Sequence, residues 1–249
     1  MFIGIGMPIP DMSNLPGNSR PGRPGGGGGG PTVGKITNEF SFKFDGVGSY
    51  FSISKDSLPA INGIQNMSYS LWIKPDDTTT SQRILSQYYQ SATRIEMAIL
   101  PSNRITFNLS SGTLSTVQID FNQATPEWAH LVMSFDGTKA VSDRVKIFLN
   151  GEEATIIAST SNTPALTPSL GSGVNSRDFN VGALQVTPGS SSLTQPYDGF
   201  LDELAFWNRS LVEEEAKAIY DATNNNPGKT ANLDTLSTGG PIAWYRMGD

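Results

Sequence analysis

From Glu39 onward, apolar and polar residues alternate with a period of two. Phe40, Phe42 and Phe44 are interleaved with Ser41 and Lys43. Tyr69, Leu71 and Ile73, then Ile105, Phe107 and Leu109, then Val145, Ile147 and Leu149 repeat the pattern. Successive side chains of an extended strand point to opposite faces, so this alternation predicts strands with one face on a core and the other toward water. Turn residues separate the runs: Asp45-Gly46, Pro75-Asp76-Asp77, Asp136-Gly137, Asn150-Gly151 and Asp198-Gly199. About a dozen strands are expected between Glu39 and Trp207, as in a β-sandwich or jelly roll.

Two segments break the pattern. Ser210 and Glu213 read as a capping box ahead of one short helix, with Leu211, Ala218 and Ile219 near one face and Asn224-Asn225-Asn226-Pro227-Gly228 ending it. Beyond it, Ile242 to Met247 read as a last strand. At the other end, Pro8, Pro10, Pro16, Pro21, Pro24 and Pro31 alternate with glycines, and Gly25 to Gly30 form an unbroken run. Proline fixes φ and glycine frees it, so this stretch predicts an extended arm rather than a helix or ladder. Its apolar tip (Phe2, Ile3, Ile5, Met7, Ile9) precedes a basic stretch with Arg20 and Arg23 and a flexible linker. An apolar tip with no core of its own is expected to order against a partner. The chain thus divides into an arm over 1–37, a sandwich over 38–222 and a tail over 223–249.

Composition narrows the function classes. The 249 residues include no cysteine and one histidine, which removes disulfides and thiolate metal sites. Seventeen Lys and Arg against 23 Asp and Glu give 17 − 23 = −6. That acidic balance argues against sequence-independent nucleic-acid binding, which needs cations to replace counterions. Charged residues make up 16%, below the ~25% of an ordinary soluble domain, and Ser, Thr and Asn fill the deficit. No apolar run reaches the ~18 residues of a membrane span, and no membrane partner is expected. The N-terminus resembles a leader only superficially: no Lys or Arg precedes its short apolar stretch, which Pro8 and Pro10 interrupt. Delivery by assembly rather than secretion is the expectation.

Five motifs carry a family resemblance. Tyr197-Asp198-Gly199-Phe200-Leu201-Asp202-Glu203-Leu204-Ala205-Phe206-Trp207-Asn208-Arg209-Ser210-Leu211, followed by a Glu-rich helix, resembles the closing motif of LamG-like, concanavalin A-like jelly rolls. Phe44-Asp45-Gly46-Val47 with Tyr50-Phe51 resembles their opening, with Ser49 where Asp is usual. Met67 to Pro75, Trp128 to Val132 with Phe135-Asp136-Gly137, and Phe148-Leu149-Asn150-Gly151 are similar to their internal strands. The resemblance implies an all-β concanavalin A-like (LamG-like) jelly-roll sandwich with one short C-terminal helix and an extended Gly/Pro-rich N-terminal arm. The arm and the closing Trp244-Tyr245-Arg246-Met247-Gly248-Asp249 are similar to LamG-like structural proteins of marine tailed phages. This second resemblance implies a non-enzymatic, homo-oligomeric virion-surface protein, a capsid decoration or other surface component. Its arm would attach it to capsid or tail subunits. The alternative is a carbohydrate-binding or adhesion module, such as a tail-fibre adsorption protein recognising host-surface glycan.

Candidate chemistry follows from the same residues. Glucanases on this fold carry a Glu-x-Asp-x-x-Glu-like strand, and no such string occurs here. Glu152 and Glu153 are adjacent and point to opposite faces, while Glu213, Glu214 and Glu215 are placed on an exposed helix face, so no enzyme is expected. His130, in a strand between Trp128 and Val132, reads as structural. A structural Ca²⁺ would draw on Asp45, Asp198 and Asp202. Asp202 falls in phase with Phe200, Leu204 and Phe206 and is expected to face the core, where it needs an ion or hydrogen-bond donors. Glycan contacts would come from loop aromatics and amides: Tyr88, Tyr89, Gln90, Asn162, Asn175 and Tyr197.

Overall fold

A computed structural model describes residues 7–8, 30–58, 65–90, 93–111, 116–122, 127–160, 177–186, 193–224, 226 and 228–247. The first strands are β1 (Met7–Pro8), β2 (Gly34–Thr37), β3 (Phe40–Asp45), β4 (Phe51–Ile53) and β5 (Asn66–Pro75). Then come β6 (Gln82–Gln90), β7 (Thr93–Leu100), β8 (Arg104–Ser111), β9 (Thr116–Asp120) and β10 (Ala129–Asp136). Next are β11 (Val145–Leu149), β12 (Glu152–Glu153), β13 (Ile156–Thr160), β14 (Phe179–Val181) and β15 (Asp198–Trp207). A helix α1 (Glu213–Asn224) precedes β16 (Lys229–Asn232) and β17 (Ala243–Tyr245).

The strands form two large antiparallel sheets. One runs β1-β3-β15-β5-β10-β11-β12, with β17 also on β15; the other runs β13-β9-β8-β7-β6-β14-β4. Their inner faces carry the alternating apolar residues anticipated from the sequence. Tyr69, Leu71 and Ile73 from β5 share one core with Ile105, Phe107 and Leu109 from β8 and with Val145 and Ile147 from β11. Phe44 is buried there, whereas Phe40 at the start of β3 is exposed. Burial of so much apolar area is the main stabilising contribution.

The outer face of the β5 sheet does not meet water, contrary to the alternation rule. Helix α1 lies across it, and Ala216, Ile219 and Ala222 pack with Val132, Phe148, Ala205 and Trp207. Ser68 on this face joins the strand to the helix approach, accepting from Leu211 N (2.8 Å) and donating to Arg209 O (2.9 Å). The helix cap differs from the expected Ser210–Glu213 pair. Glu215 stands three residues into the helix and accepts from Val212 N at 2.9 Å, the return half of a capping box. Glu215 is buried, not exposed as expected, and meets Arg209 Nη1 at 2.7 Å.

The end of the arm and the tail are tied together. Strand β2 pairs with β16 from Lys229↔Thr37 to Asn232↔Gly34, and Gly34 N donates to Thr235 Oγ1 at 2.7 Å. Ala231, Leu233 and Leu236 pack beneath the helix and Met247 reaches the main core. Strands β16 and β17 and Met247 therefore pack onto the sandwich.

Candidate functional site

A two-layer sandwich has two outer faces, and α1 occupies one. The outer face of the β7 sheet is polar. Strand register lines up Ser52, Asn180, Ser86, Glu96, Asn108 and Thr116 in one row across five strand junctions, from β4 through β14, β6, β7 and β8 to β9. A parallel row on the same face holds Arg83, Ala98, Thr106 and Gln118, and Tyr88 pairs with Arg94 beyond it. Along β7 and β8 these positions alternate with the inward apolar Ile95, Met97, Ile99, Ile105, Phe107 and Leu109, so the inner core fixes where the polar side chains stand.

Glu96 is the centre of this face. Its carboxylate is fully buried and accepts from Asn108 Nδ2 at 2.9 Å. Arg83 Nε approaches it at 3.5 Å and Arg94 Nε at 3.1 Å; the Arg94 contact is an ion pair whose alignment falls short of a hydrogen bond. Thr116 Oγ1 donates to Asn108 Oδ1 at 2.6 Å, which orients the amide. The Arg94 guanidinium also lies 5.9 Å from the Tyr88 ring centre, within cation–π reach. A buried carboxylate held by two guanidiniums and an amide pins all three donors. Arg83 Nη1 is buried with no hydrogen-bond partner among the described residues.

The sequence-predicted residues fall unevenly around this face. Tyr88 belongs to it. Tyr89 and Gln90 are placed only by backbone, as the end of β6, and Asn162 and Asn175 lie outside the described residues. Tyr197 is not a surface residue: its ring is fully buried 5.8 Å from that of Phe44, and its hydroxyl donates to Phe200 O at 3.2 Å. Burial pushes its phenol well above the usual range. Of the arm residues, Phe2, Ile3, Ile5, Ile9, Arg20 and Arg23 lie outside the described residues, and the Met7 backbone pairs with Ser41.

The three aspartates do not converge. Asp45 and Asp198 are register partners, but each is engaged locally. Asp45 Oδ1 accepts from Val47, Gly48 and Ser49 N, each at 2.9 Å, and these backbone donors hold its carboxyl well below the usual range. Asp198 Oδ1 pairs with Lys43 Nζ at 3.0 Å, and the same ammonium pairs with Asp76. Asp202 stands four residues along β15, ~13 Å away at strand rise. Its orientation corrects the phase argument. The register between β15 and β5 shifts between Asp202 and Ala205, and Glu203 takes φ 54, a bulge that inserts one residue. Asp202 therefore stays on the outer side with Phe200, while Leu204 and Phe206 turn to the core. There it is fully buried, accepting from Asn38 Nδ2 at 2.9 Å and Glu203 N at 2.8 Å. Among the described residues, no group of three or more His, Asp or Glu side chains is placed to hold a metal.

His130 is fully buried beneath α1. It stacks on Trp72 at 5.0 Å and lies 6.4 Å from Tyr220, with Nε2 2.7 Å from Ser70 Oγ. Burial pushes its imidazole down to about 3, so it is neutral and walled off from any substrate.

Sequence reasoning missed Arg83, Arg94, Glu96 and Asn108. The alternation of Arg94, Glu96 and Ala98 with Ile95, Met97 and Ile99 was there to be read. Their partners on neighbouring strands were not, because pairing is a long-range property.

A family model described as concanavalin A-like lectin/glucanases superfamily matches residues 45–217. No curated protein sequence matches the chain. Among solved structures, the CBM40 of the Ruminococcus gnavus IT-sialidase, bound to α2,3-sialyllactose, is similar at a TM-score of 0.57 and 13% identity. That match covers 76% of this chain and 98% of the other. A candidate carbohydrate-binding protein of Bacteroides ovatus matches at 0.57 and 15%, over 88% of this chain and 53% of that one. A SAP-like pentraxin of Limulus polyphemus matches at 0.51 and 13%, over 82% and 89%. Likeness at these identities establishes the fold.

Proposed function

The chain belongs to the concanavalin A-like lectin/glucanases superfamily, and from its polar outer face we propose that it is a non-enzymatic carbohydrate-binding module. The observation that carries this reading is the polar sheet face that α1 does not cover, where partly exposed Arg83, Tyr88, Arg94, Thr116 and Gln118 surround the buried row of Asn180, Ser86, Glu96 and Asn108. Sugars are recognised by planar donors and acceptors that are already oriented, with an aromatic ring for the apolar face of the pyranose. Arg83, Arg94, Thr116 and Gln118 supply the polar groups, and Tyr88 supplies the ring. The mutual hydrogen bonds along the row lower the ordering cost of binding, because the side chains are held before the ligand arrives.

Support from the comparisons goes to this reading: a sialidase module solved with a sialylated sugar and a candidate carbohydrate-binding protein share the fold. It is the alternative of the two sequence expectations; the main expectation, a virion structural role, draws no support from the comparisons. The test is a glycan array probed with the full chain and with Tyr88→Ala. We expect retention of a defined set of glycans, weakened about tenfold in the variant, the loss of one stacking contact. Retention of no glycan above a blank surface would overturn the proposal.

A further inference from the structure

The polar face carries more positive charge than its own residues neutralise. Arg83 and Arg94 both turn to a single carboxylate, that of Glu96. Glu96 is already satisfied: Asn108 Nδ2 occupies the same oxygen that meets Arg94, and the carboxylate is fully buried. Both arginines reach it through Nε, the inner nitrogen of the guanidinium fork. Arg83 Nη1 is left buried with no hydrogen-bond partner among the described residues.

We propose that this face selects glycans bearing an anionic substituent, a carboxylate or a sulfate, with Arg83 and Arg94 as its counter-ions. The inference rests on the glycan-binding reading and narrows it. A neutral sugar laid over this face would offer only hydroxyls to an excess guanidinium that is already largely buried, whereas an anion restores the charge balance. The choice of arginine fits the task, because its planar fork matches the two oxygens of a carboxylate or sulfate and a lysine does not. The Tyr88 ring lies 5.9 Å from the Arg94 guanidinium and adds a cation–π contact to it. Thr116 and Gln118, both half-exposed on the same face, are left for the hydroxyls of the sugar that carries the charge. General attraction of anions is not the explanation: the chain has a net charge of −6, so its overall field repels them.

The test is isothermal titration of the full chain with a matched set: lactose, 3′-sialyllactose and lactose 3′-sulfate, repeated in low and high salt. A panel of neutral, carboxylated and sulfated oligosaccharides accompanies it. At least one acidic class should bind about tenfold or more tighter than its neutral counterpart, the difference one charge-assisted pair makes. High salt should shrink that advantage. Arg94→Gln should abolish it, while Lys217→Gln, which removes an exposed cation on α1 across the sandwich, should preserve it. The salt series on the unaltered protein reads the same property should either variant fail to fold. Which acidic class wins separates carboxylate from sulfate. Neutral glycans binding as tightly as acidic ones would overturn the anion selectivity and leave glycan binding standing. Acidic binding unchanged in a folded Arg94→Gln would remove the assignment to this face. Absence of binding across the whole panel would overturn the glycan reading itself.

Discussion

His130 shows how a single residue can govern a pH response. It is the one histidine of the chain and packs against Trp72 and against Tyr220 of α1. Its ordinary pKa of 6.5 falls to about 3 in the fold because burial disfavours the imidazolium. The unfolded chain therefore binds a proton that the native state refuses. The contribution is intact above pH 6.5 and is lost as pH falls toward 3. Between pH 7.5 and 5 the loss comes to about 2 kcal/mol. Carboxylates titrate mostly below that window, so urea unfolding at pH 7.5, 6 and 5 isolates the histidine. His130→Gln should flatten the slope; an equal slope in the variant would exclude this cause. Gly199 makes a second point at this scale. It takes φ +144, and a Cβ there would lie 2.4 Å from Lys74 O. Gly199→Ala should cost roughly 2–4 kcal/mol in chemical denaturation, since backbone rather than a flexible side chain has to move. Turn chemistry made Asp198-Gly199 legible as a break in the pattern; the steric demand on Gly199 comes from β5, a partner no local rule names.

Among the elements, α1 and β15 show where local reading stops. The helix itself was visible, but its cap was misplaced by two residues. Ser210 and Glu213 satisfy the spacing rule, yet Ser68 Oγ already satisfies the Leu211 amide, and the helix begins at Glu213 with Glu215 serving Val212. Glu215→Gln should lower stability by about 1–2 kcal/mol, losing the charged cap and the Arg209 pair together. Glu213→Gln should stay within ~0.5 kcal/mol. Thermal unfolding of the two variants decides between the caps, and a larger effect at Glu213 would contradict the geometry. In β15 the bulge at Glu203 reverses which residues face the core. Glu203 also accepts from Trp244 Nε1, fastening β17 beside Leu204–Phe206. A period-two pattern cannot register an inserted residue whose reason is the docking of a strand forty residues later.

For the whole molecule, the described cores begin at Val33 and end at Met247. Deleting residues 1–29 should therefore leave the melting temperature within a few degrees and leave glycan affinity unchanged. Ending the chain at Gly239 should unfold or strongly destabilise it, because Met247 and β17 leave the sandwich. Differential scanning calorimetry with a glycan titration checks both; loss of glycan binding on removing the arm would move the binding site out of the sandwich. The fold class was readable from the chain because alternation and turn residues are written locally: each strand announces its apolar face, and Asp-Gly and Asn-Gly mark where the chain reverses. The closing motif from Tyr197 to Leu211 added the family. The binding face was not readable in the same way. Arg94 and Glu96 look like ordinary polar positions of a half-exposed strand, and Tyr197 looks like a loop aromatic. Only strand register sets Glu96 against Ser86 and Asn108, and only the packing of the two sheets buries Tyr197 beside Phe44. The sequence determined the strands and, wherever no bulge intervenes, the side each one turns to the core. Tertiary structure decided which strands are neighbours, and with that which outer face the helix covers and which polar groups meet, because those contacts join residues far apart along the chain.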